Sequence, residues 1–426
     1  MYDTIVIGGG VSGIMAATAA SLNNNKVLLI EKNKKLGKKL LISGGGRCNV
    51  TNRLPYEEII KHIPGNGKFL YGPFSVFDNE SIINFVESNG VKLKEEDHGR
   101  MFPVSNKAKD VLNVFLKQLE QNKVDIQFET EVAAVLHKDD KITGVKTTDG
   151  RTFNTRNVII TTGGKSVPQT GSTGDGHKFA KMLGHTITDL FPTEVPITSN
   201  QRFFTDGSLK GISLDDVALS VLKKNGKPRI THQMDMIFTH FGVSGPAALR
   251  CSQFVYKEQQ AQKKENIKMQ LDFFPQYTMG EMQEYINKTI KDNIDKSLKN
   301  ILKSIHQERL ITFVLEYLKI DGSTSGHHVS NQQKQALVEF FKRFTFNVNG
   351  TQSIEKAFVT GGGVNLKEIN PSTMSSKIID GLHFAGEVLD IHGYTGGYNI
   401  TSALVTGYVA GYHCSKGVKV KFRMLE

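Results

Sequence analysis

The glycine spacing near the amino terminus constrains the fold of this chain more than any other feature. Gly8, Gly10 and Gly13 directly follow a short apolar run over residues 3–7, and an alanine-rich stretch follows them. This pattern predicts a strand, a tight turn and a helix, and an apolar run over residues 27–30 predicts a second strand. Because such a unit places its two strands in parallel, we predict an α/β fold with a doubly wound sheet.

The three glycines and the acidic residue at the end of the second strand predict a dinucleotide site. We expect Gly8 to permit the tight turn, Gly10 to let a diphosphate approach the backbone, and Gly13 to let the helix pack closely. The amino terminus of the helix would present unpaired N–H groups and a partial positive charge to the phosphates. Glu31 would accept hydrogen bonds from the adenosine ribose and repel a 2′-phosphate.

Length and composition favour a globular protein of two or three domains. The chain has 426 residues, of which 38% are hydrophobic and 22% charged, and this excludes both a disordered chain and a membrane bundle. Its net charge is +11, which is typical of a solvated surface when spread over this length. The acidic third residue argues against a signal peptide, and three widely spaced cysteines favour a reducing, cytoplasmic compartment.

Changes in composition along the chain predict one domain with two insertions. Short mixed segments with several prolines favour strands after Phe191, and two capping boxes, Thr278 with Glu281 and Ser330 with Gln333, predict helices. After residue 350 the sequence is again glycine-rich, as in the first domain. We therefore predict a cofactor-binding domain over 1–190 and 351–426, a β-rich insertion over 191–275 and 344–350, and a helical insertion over 276–343.

Within the first domain, the patterns predict two helices and a small antiparallel meander. One helix has Asn79 as its N-cap and ends at Gly90, and the other covers residues 107–121 with an apolar face. Alternating segments broken by Asp-Gly and Asp-Asp pairs predict the meander over residues 124–162.

A second glycine-rich segment near the carboxyl terminus favours a flavin dinucleotide over a nicotinamide one. Gly386 and Glu387 follow an apolar strand, and residues 394–400 (YTGGYNI) open a helix near Gly397. In flavoproteins this arrangement brings a carboxylate to the ribityl chain and points the helix amino terminus at the N1/C2 edge of the flavin. We therefore predict FAD as the cofactor.

Several stretches resemble one bacterial family of FAD-dependent oxidoreductases, described as aminoacetone-oxidase-like or BaiN-like, within the flavoproteins that have two dinucleotide-binding domains. They are residues 37–52 (GKKLLISGGGRCNVTN), 99–105 (GRMFPVS), 162–176 (TGGKSVPQTGSTGDG), 238–246 (FTHFGVSGP), 381–390 (GLHFAGEVLD) and 393–399 (GYTGGYN). The resemblance implies an FAD-binding Rossmann-like domain built from both ends of the chain. It also implies that a β-barrel-like domain, itself carrying a helical insertion, interrupts that domain.

The predicted FAD contacts come from the two glycine-rich segments and the loops between them. They are Gly8, Gly10, Ser12, Gly13, Glu31, Lys32, Gly45, Gly46, Arg47, Val132, Thr162, Gly163, Gly386, Glu387, Gly397, Tyr398, Asn399 and Ile400. Cys48, His240 and Tyr394 are weak candidates for catalysis, each with packing or a structural hydrogen bond as the alternative. No pair of ligands has convincing metal spacing, so no metal site is predicted.

These observations predict an FAD-dependent oxidoreductase that transfers hydride through flavin N5 to or from a small organic substrate. NAD(P)H as a transient reductant is slightly favoured over oxidation of an amine by oxygen. A flavoprotein that acts on RNA is a further alternative, for which the lysines between Lys288 and Lys303 would serve. A flavin-holding sensor without turnover is another, and the sequence favours a small molecule over nucleic acid or a membrane as the partner.

Overall fold

The structure is a computed structural model that describes residues 1–415. The chain divides into two compact units. Unit 1 combines Met1–Phe191 with the chain from Phe358 onward, and unit 2 is Pro192–Ala357. The three-part domain division remains a prediction, and residues 416–426 of its last segment lie outside the described residues.

The first part of the chain, up to residue 190, contains both strands and helices. The strands are β1 Thr4–Ile7, β2 Val27–Ile30, β3 Thr51–Asn52, β4 Leu93–Glu96, β5 Arg100–Pro103, β6 Asp125–Gln127, β7 Val132–Lys138, β8 Lys141–Thr147, β9 Thr152–Asn154 and β10 Asn157–Ile160. The helices are α1 Val11–Ala20, α2 Lys38–Ile42, α3 Tyr56–Lys61, α4 Tyr71–Phe74, α5 Asn79–Ser88, α6 Ala108–Gln121 and α7 Asp175–Met182.

The next group of elements belongs almost entirely to unit 2. They are β11 Phe191–Thr193, β12 Ile197–Thr198, α8 Arg202–Thr205, β13 Ser213–Leu222, β14 Pro228–Thr239, β15 Gly242–Ser244, α9 Pro246–Gln262, β16 Ile267–Asp272, α10 Met279–Asp292, α11 Leu298–Leu302, α12 Glu308–Leu318, α13 Asn331–Arg343, β17 Phe344–Val348 and β18 Gly350–Thr351. Three elements close the described chain: β19 Val359–Gly361, β20 Leu382–Phe384 and α14 Tyr398–Cys414.

A five-stranded sheet with the order β20-β10-β1-β2-β6 forms the centre of unit 1. All of its pairings are parallel. The residues of β1 and β2 are buried, as expected when helices cover both faces of a parallel sheet. The predicted α/β class is therefore confirmed, and β20 joins the carboxyl-terminal segment to the amino-terminal strands.

Helices α1 and α14 pack against each other beside this sheet. A Cβ at Gly407 would lie 3.1 Å from the Cα of Ser12, and one at Gly411 would lie 2.8 Å from the backbone nitrogen of Ala20. Glycine at these two positions lets the helix backbones approach more closely than side chains would allow. The opening turn and the closing helix are thus neighbours within unit 1.

Two local predictions differ from the structure by small amounts. The N-cap of α5 is Asp78, whose Oδ1 accepts a hydrogen bond from the backbone N–H of Ser81 at 2.7 Å. Asn79, the predicted cap, has a buried amide that donates to the carbonyl oxygens of Asn52 and Leu54 instead. The meander is an antiparallel sheet of β7, β8 and β9, whereas β6 at its predicted start pairs in parallel with β2.

Unit 2 contains a seven-stranded sheet with the order β17-β16-β13-β14-β15-β12-β18. Its pairings are antiparallel, and its buried face shares one hydrophobic core with helices α9 to α13. Both predicted capping boxes are present, at the starts of α10 and α13. Within residues 1–415, no helix combines the length and the apolar character that crossing a bilayer requires.

Candidate functional site

The first glycine turn has the conformations that its spacing predicts. Gly8 adopts a φ of +105°, and a Cβ there would lie 2.8 Å from the carbonyl oxygen of Thr161. A Cβ at Gly13 would overlap the carbonyl oxygen of Gly8 and lie 2.6 Å from Thr161 Oγ1. At Gly10, by contrast, no atom of residues 1–415 lies within 4 Å of a Cβ. Gly8 and Gly13 therefore serve the turn itself, and Gly10 leaves an open approach to the start of α1.

Glu31 lies buried at the carboxyl end of β2 and faces this turn. Its Oε2 accepts a hydrogen bond from the backbone N–H of Gly9 at 2.7 Å. Its Oε1 accepts from the backbone and side-chain nitrogens of Asn33 at 2.7 and 2.6 Å. These bonds fix the carboxylate beside the glycine turn, where a bound ribose would have to approach it.

The loops after β2 and β10 meet through Lys32. Its Nζ forms an ion pair with Asp175 at 2.6 Å and donates to Thr173 Oγ1 at 2.5 Å. Burial acts to raise the pKa of Asp175, but hydrogen bonds from Lys32 and Thr173 outweigh it and hold this pKa below its ordinary value. Gly163 in the loop after β10 adopts a left-handed φ of +72°.

The Ser43–Gly46 turn supplies the second glycine-rich backbone. Gly44, Gly45 and Gly46 all have left-handed φ values, of 55°, 67° and 85°. None of the described residues places an atom within 4 Å of a Cβ at Gly45. Arg47 next to this turn already has protein partners. It pairs with Glu96, donates to Asn106 Oδ1, and stacks its guanidinium 4.2 Å from the ring centre of Phe102.

Cys48 follows the same turn in a buried, left-handed conformation with a φ of 61°. Burial raises the pKa of its thiol to about 12, against a smaller opposing effect of a hydrogen bond with Ser43. A thiol with such a pKa stays protonated at neutral pH and is a poor nucleophile. Its surroundings therefore suit a packed residue better than a thiolate.

At the carboxyl-terminal segment, Glu387 lies at the centre of a polar cluster. Its Oε1 accepts from Ser166 Oγ at 2.9 Å and from the backbone N–H of Thr360 at 2.8 Å, and its Oε2 pairs with Lys39 Nζ at 2.9 Å. Burial acts to raise the pKa of Glu387, but the charge and hydrogen bond of Lys39 overcome it and keep this pKa low. Gly386 before it has a φ of +77° and packs against Ser12.

The amino terminus of α14 is held in place by the side chain of Asn399. Its Oδ1 accepts from the backbone N–H of Gly393 at 2.8 Å, and its Nδ2 donates to the carbonyl oxygens of Gly393 and Tyr394. Gly397 caps the helix with a φ of +95°. The first N–H groups of α14 have no helical partner of their own, which makes this end suitable for an electron-rich ligand edge.

Three aromatic side chains and one amide surround this helix start. The rings of His62 and Tyr398 stack with centres 4.8 Å apart and planes at 11°, and the backbone N–H of Tyr394 donates to the carbonyl oxygen of His62 at 3.0 Å. Asn49 Oδ1 is buried without a hydrogen-bond partner among the described residues, and a Cβ at Gly397 would lie 3.1 Å from it.

Sequence reasoning missed four of the residues in this region: Lys39, Asn49, His62 and Ser166. Three of them lie in the quoted glycine-rich stretches, which gave a signal for the loops but not for these side chains. His62 lies outside those stretches, on a segment without any motif.

The remaining predicted residues lie in four places. Thr162 is the second residue after β10, Ile400 lies in the first turn of α14, and Val132 begins β7, where it pairs with Thr147. His240 is exposed between β14 and β15 of unit 2, with its ring 5.0 Å from that of Phe241. Within residues 1–415, no group of three or more His, Cys, Asp or Glu side chains is arranged to hold a metal ion.

The residues of unit 1 fit an FAD molecule. The open approaches at Gly10 and Gly45 are places where backbone N–H groups can meet a diphosphate without a side chain between them. The unpartnered oxygen of Asn49 is a buried acceptor, which suits a ring that carries an N–H donor, as isoalloxazine does. The predicted FAD contacts themselves remain predictions.

Comparison with known proteins places the whole chain among flavoenzymes. The model of the HI0933-like protein Rossmann domain matches residues 2–413. A ribosomal RNA dihydrouridine synthase of Haemophilus influenzae is 29% identical over 419 residues, 97% of this chain and 98% of the relative. A 3-dehydro-bile acid delta(4,6)-reductase of Clostridium scindens is 29% identical over 411 residues, 95% of this chain and 97% of the relative.

A solved structure shows the same fold. The 3-ketosteroid delta1-dehydrogenase of Sterolibacterium denitrificans aligns over 97% of this chain and 99% of its own, with a TM-score of 0.50 and 14% identity. At this identity the likeness concerns the fold alone.

Proposed function

The chain belongs to the HI0933-like family and is an FAD-dependent oxidoreductase, and from this premise we propose that it reduces a carbon–carbon double bond conjugated to a carbonyl group. NAD(P)H is the proposed source of the electrons. This function refines the prediction of hydride transfer with a small organic substrate, and it selects the reductive direction over amine oxidation.

The chemistry shared by the relatives carries this proposal. One relative is named for making dihydrouridine and the other for reducing a 3-dehydro-bile acid at delta(4,6) positions. Dihydrouridine is uridine whose ring double bond, conjugated to a carbonyl, has been saturated. A double bond that extends from the carbonyl of a 3-dehydro steroid has the same electronic character. The two substrates differ in size and charge, so the common element is the reaction.

The reaction requires a hydride at the carbon remote from the carbonyl and a proton at the adjacent carbon. FAD, when bound and reduced, supplies the hydride through flavin N5. The Gly8–Gly13 turn would hold the diphosphate, and the amino terminus of α14 would stabilise negative charge on the flavin ring. Tyr394, which is buried at 6% exposure beside α14, is the proposed proton donor.

A ribosomal RNA uridine is a second candidate substrate. It is supported by the name of the Haemophilus influenzae relative, which this chain matches over nearly its full length, and by the net charge of +11. The affinity of a polyanion for a positively charged protein depends on the salt concentration. The affinity of a neutral enone does not.

Anaerobic reduction of the purified yellow protein tests the reductive direction. Loss of the visible flavin absorbance on addition of NADH or NADPH, followed by its return on addition of an enone steroid or a uridine-containing RNA, is the expected result. Mass spectrometry should find a substrate heavier by two hydrogens. Bleaching by a panel of amines, with no response to either nicotinamide, would refute the proposal in favour of an amine oxidase. No bleaching by any donor would indicate a sensor.

A further inference from the structure

Two lysine-rich segments of unit 2 lie at one end of its sheet. The β13–β14 hairpin turns through residues 223–227 (KKNGK), and the connection from α9 together with the first two residues of β16 reads KKENIK over residues 263–268. Val221 near the end of β13 pairs with Met269 near the start of β16, so the hairpin turn and the connection extend beyond the same edge. We call the six lysines of these segments the hairpin lysine cluster: Lys223, Lys224, Lys227, Lys263, Lys264 and Lys268.

Hydrogen bonds at the base of the hairpin hold the two segments together. Gln262 Nε2 at the end of α9 donates to the carbonyl oxygen of Leu222 at 3.3 Å and to Glu258 Oε2 at 2.8 Å. Arg229 on the outgoing strand pairs with Glu258 Oε1 at 2.5 Å. The turn itself is closed by two backbone hydrogen bonds, from the N–H of Lys223 to the carbonyl oxygen of Lys227 and from the N–H of Gly226 to the carbonyl oxygen of Lys223. The lysines therefore project from a fixed base rather than from independent loops.

The cluster has very little negative charge to neutralise it. None of its six lysines forms an ion pair within residues 1–415, and all six are exposed. The charge of Lys223 acts on the nearby carboxylate of Glu258, which is ion-paired with Arg229. Glu265 is the acidic residue within the two segments.

The lysine stretch expected to serve RNA from sequence alone is less suited. Lys299 and Lys303, which lie between Lys288 and Lys303 in the predicted stretch, both pair with Glu308, at 3.2 and 3.0 Å. Their charge is partly satisfied within the protein, whereas the charge of the hairpin lysine cluster is available to a ligand.

We propose that the hairpin lysine cluster binds the phosphate backbone of RNA. This inference rests on the RNA candidate of the proposed function for its choice of polyanion. Lysine ammonium groups act as point charges that attract phosphates without reading bases. The side-chain amides of Asn225 and Asn266 in the same segments can bond to sugar hydroxyls.

An anionic membrane is a poorer fit to the same surface. Peripheral membrane binding combines basic residues with exposed apolar side chains that enter the interface. The exposed large hydrophobic residues of the described chain include none from residues 223–229 or 263–268. The cluster is thus charged and polar throughout, as a surface for a hydrated polyanion is.

The test compares two charge-matched quadruple variants in the full FAD-loaded protein. The test variant is Lys223→Gln with Lys224→Gln, Lys263→Gln and Lys264→Gln. The control variant is Lys288→Gln with Lys291→Gln, together with Lys299→Gln and Lys303→Gln. The probe is a fluorescein-labelled, uridine-containing RNA hairpin of about 30 nucleotides, which binds largely through its backbone and loop. Anisotropy gives Kd at salt concentrations from about 50 to about 200 mM.

We expect the test variant to bind the hairpin about 10- to 100-fold more weakly than wild type at low salt. The slope of log Kd against log salt should fall by about 2 to 3, since each lost phosphate contact removes somewhat less than one unit. The control variant should stay within about threefold of wild type. Flavin content and Tm should be the same in all three proteins.

Equal weakening of both variants would overturn the proposal, because net charge rather than this surface would then govern binding. If wild-type protein does not bind the RNA hairpin but binds phosphatidylglycerol vesicles through the cluster, the proposal is overturned in favour of a membrane. Neither result affects the proposed reduction of an enone, which is read from anaerobic flavin bleaching. Failure of that bleaching with normal RNA binding would instead refute the reaction and leave the RNA surface standing.

Discussion

Substitution of Gly10 by valine separates the binding of FAD from the stability of the fold. The backbone at Gly10 is extended, with φ of −74° and ψ of 179°, a conformation that valine adopts readily. In the described part of the chain, no atom lies within 4 Å of a Cβ at this position. A branched side chain can therefore occupy the position without a clash within the protein, but it would fill the approach that a diphosphate needs.

The expected magnitudes follow from this geometry. Valine is a poorer N-cap than glycine by about 1 kcal/mol or less, and its restricted unfolded state offsets about 0.4–1 kcal/mol of that loss. The free energy of unfolding of the FAD-free variant should therefore lie within about 1 kcal/mol of wild type. With FAD at 100 times its Kd, wild type gains about 2.7 kcal/mol of stability that the variant lacks.

Gly13→Ala is the matched control, because its Cβ would overlap the carbonyl oxygen of Gly8 and lie 2.6 Å from Thr161 Oγ1. Overpacking of this kind costs about 1–3 kcal/mol, and the loss should appear in the FAD-free protein. The assays are urea unfolding of each FAD-free protein and FAD titration followed by flavin fluorescence. A Gly10→Val protein that binds FAD with wild-type Kd would refute the assignment of the diphosphate to this turn.

Three further predictions concern single side chains. Glu31→Gln should weaken FAD binding by about 1–3 kcal/mol, as for a charged hydrogen bond; an unchanged Kd in FAD titration would show that the ribose is held elsewhere. Cys48→Ala should retain flavin content and turnover, because burial raises the pKa of the Cys48 thiol to about 12; loss of turnover with normal flavin content would make the thiol catalytic. Burial lowers the pKa of His383 to about 4. Between about pH 6.5 and pH 4, His383 is therefore protonated in the unfolded chain but neutral in the folded protein. The free energy of unfolding should fall by about 1.4 kcal/mol per pH unit over this range as the pH is lowered. In urea unfolding between pH 7 and pH 5, the free energy of unfolding of His383→Gln should depend less on pH than that of wild type. An equal slope in both proteins would contradict the assignment of this pH dependence to His383.

The parts of the fold that could be predicted from the sequence are those set by local chemistry. The glycine turn, the strand before it and the helix after it depend on residues within one short segment, and so do the capping boxes at Thr278 and Ser330. The parallel sheet follows from the βαβ unit. Each of these features depends on residues that are close together in the sequence.

Features decided by distant segments could not be predicted. Asp78 and Asn79 are both good N-caps in isolation, and the choice between them rests on the carbonyl oxygens of Asn52 and Leu54, which engage the amide of Asn79. The partial neutralisation of the predicted lysine stretch likewise depends on Glu308, which lies on a different helix from Lys299.

At Glu387, a substitution cannot test the predicted cofactor contact separately from the structural role of the side chain. The sequence predicts that its carboxylate serves the cofactor, yet in the structure both oxygens are engaged by Lys39, Ser166 and Thr360, which come from three separate segments. Truncation of Glu387 would leave a partly buried ammonium and two donors without their acceptor, and such groups cost stability when unpaired. A loss of FAD in that variant would therefore mix binding with folding. Gly10 has no such partners, so a loss of FAD there reports on the diphosphate site alone.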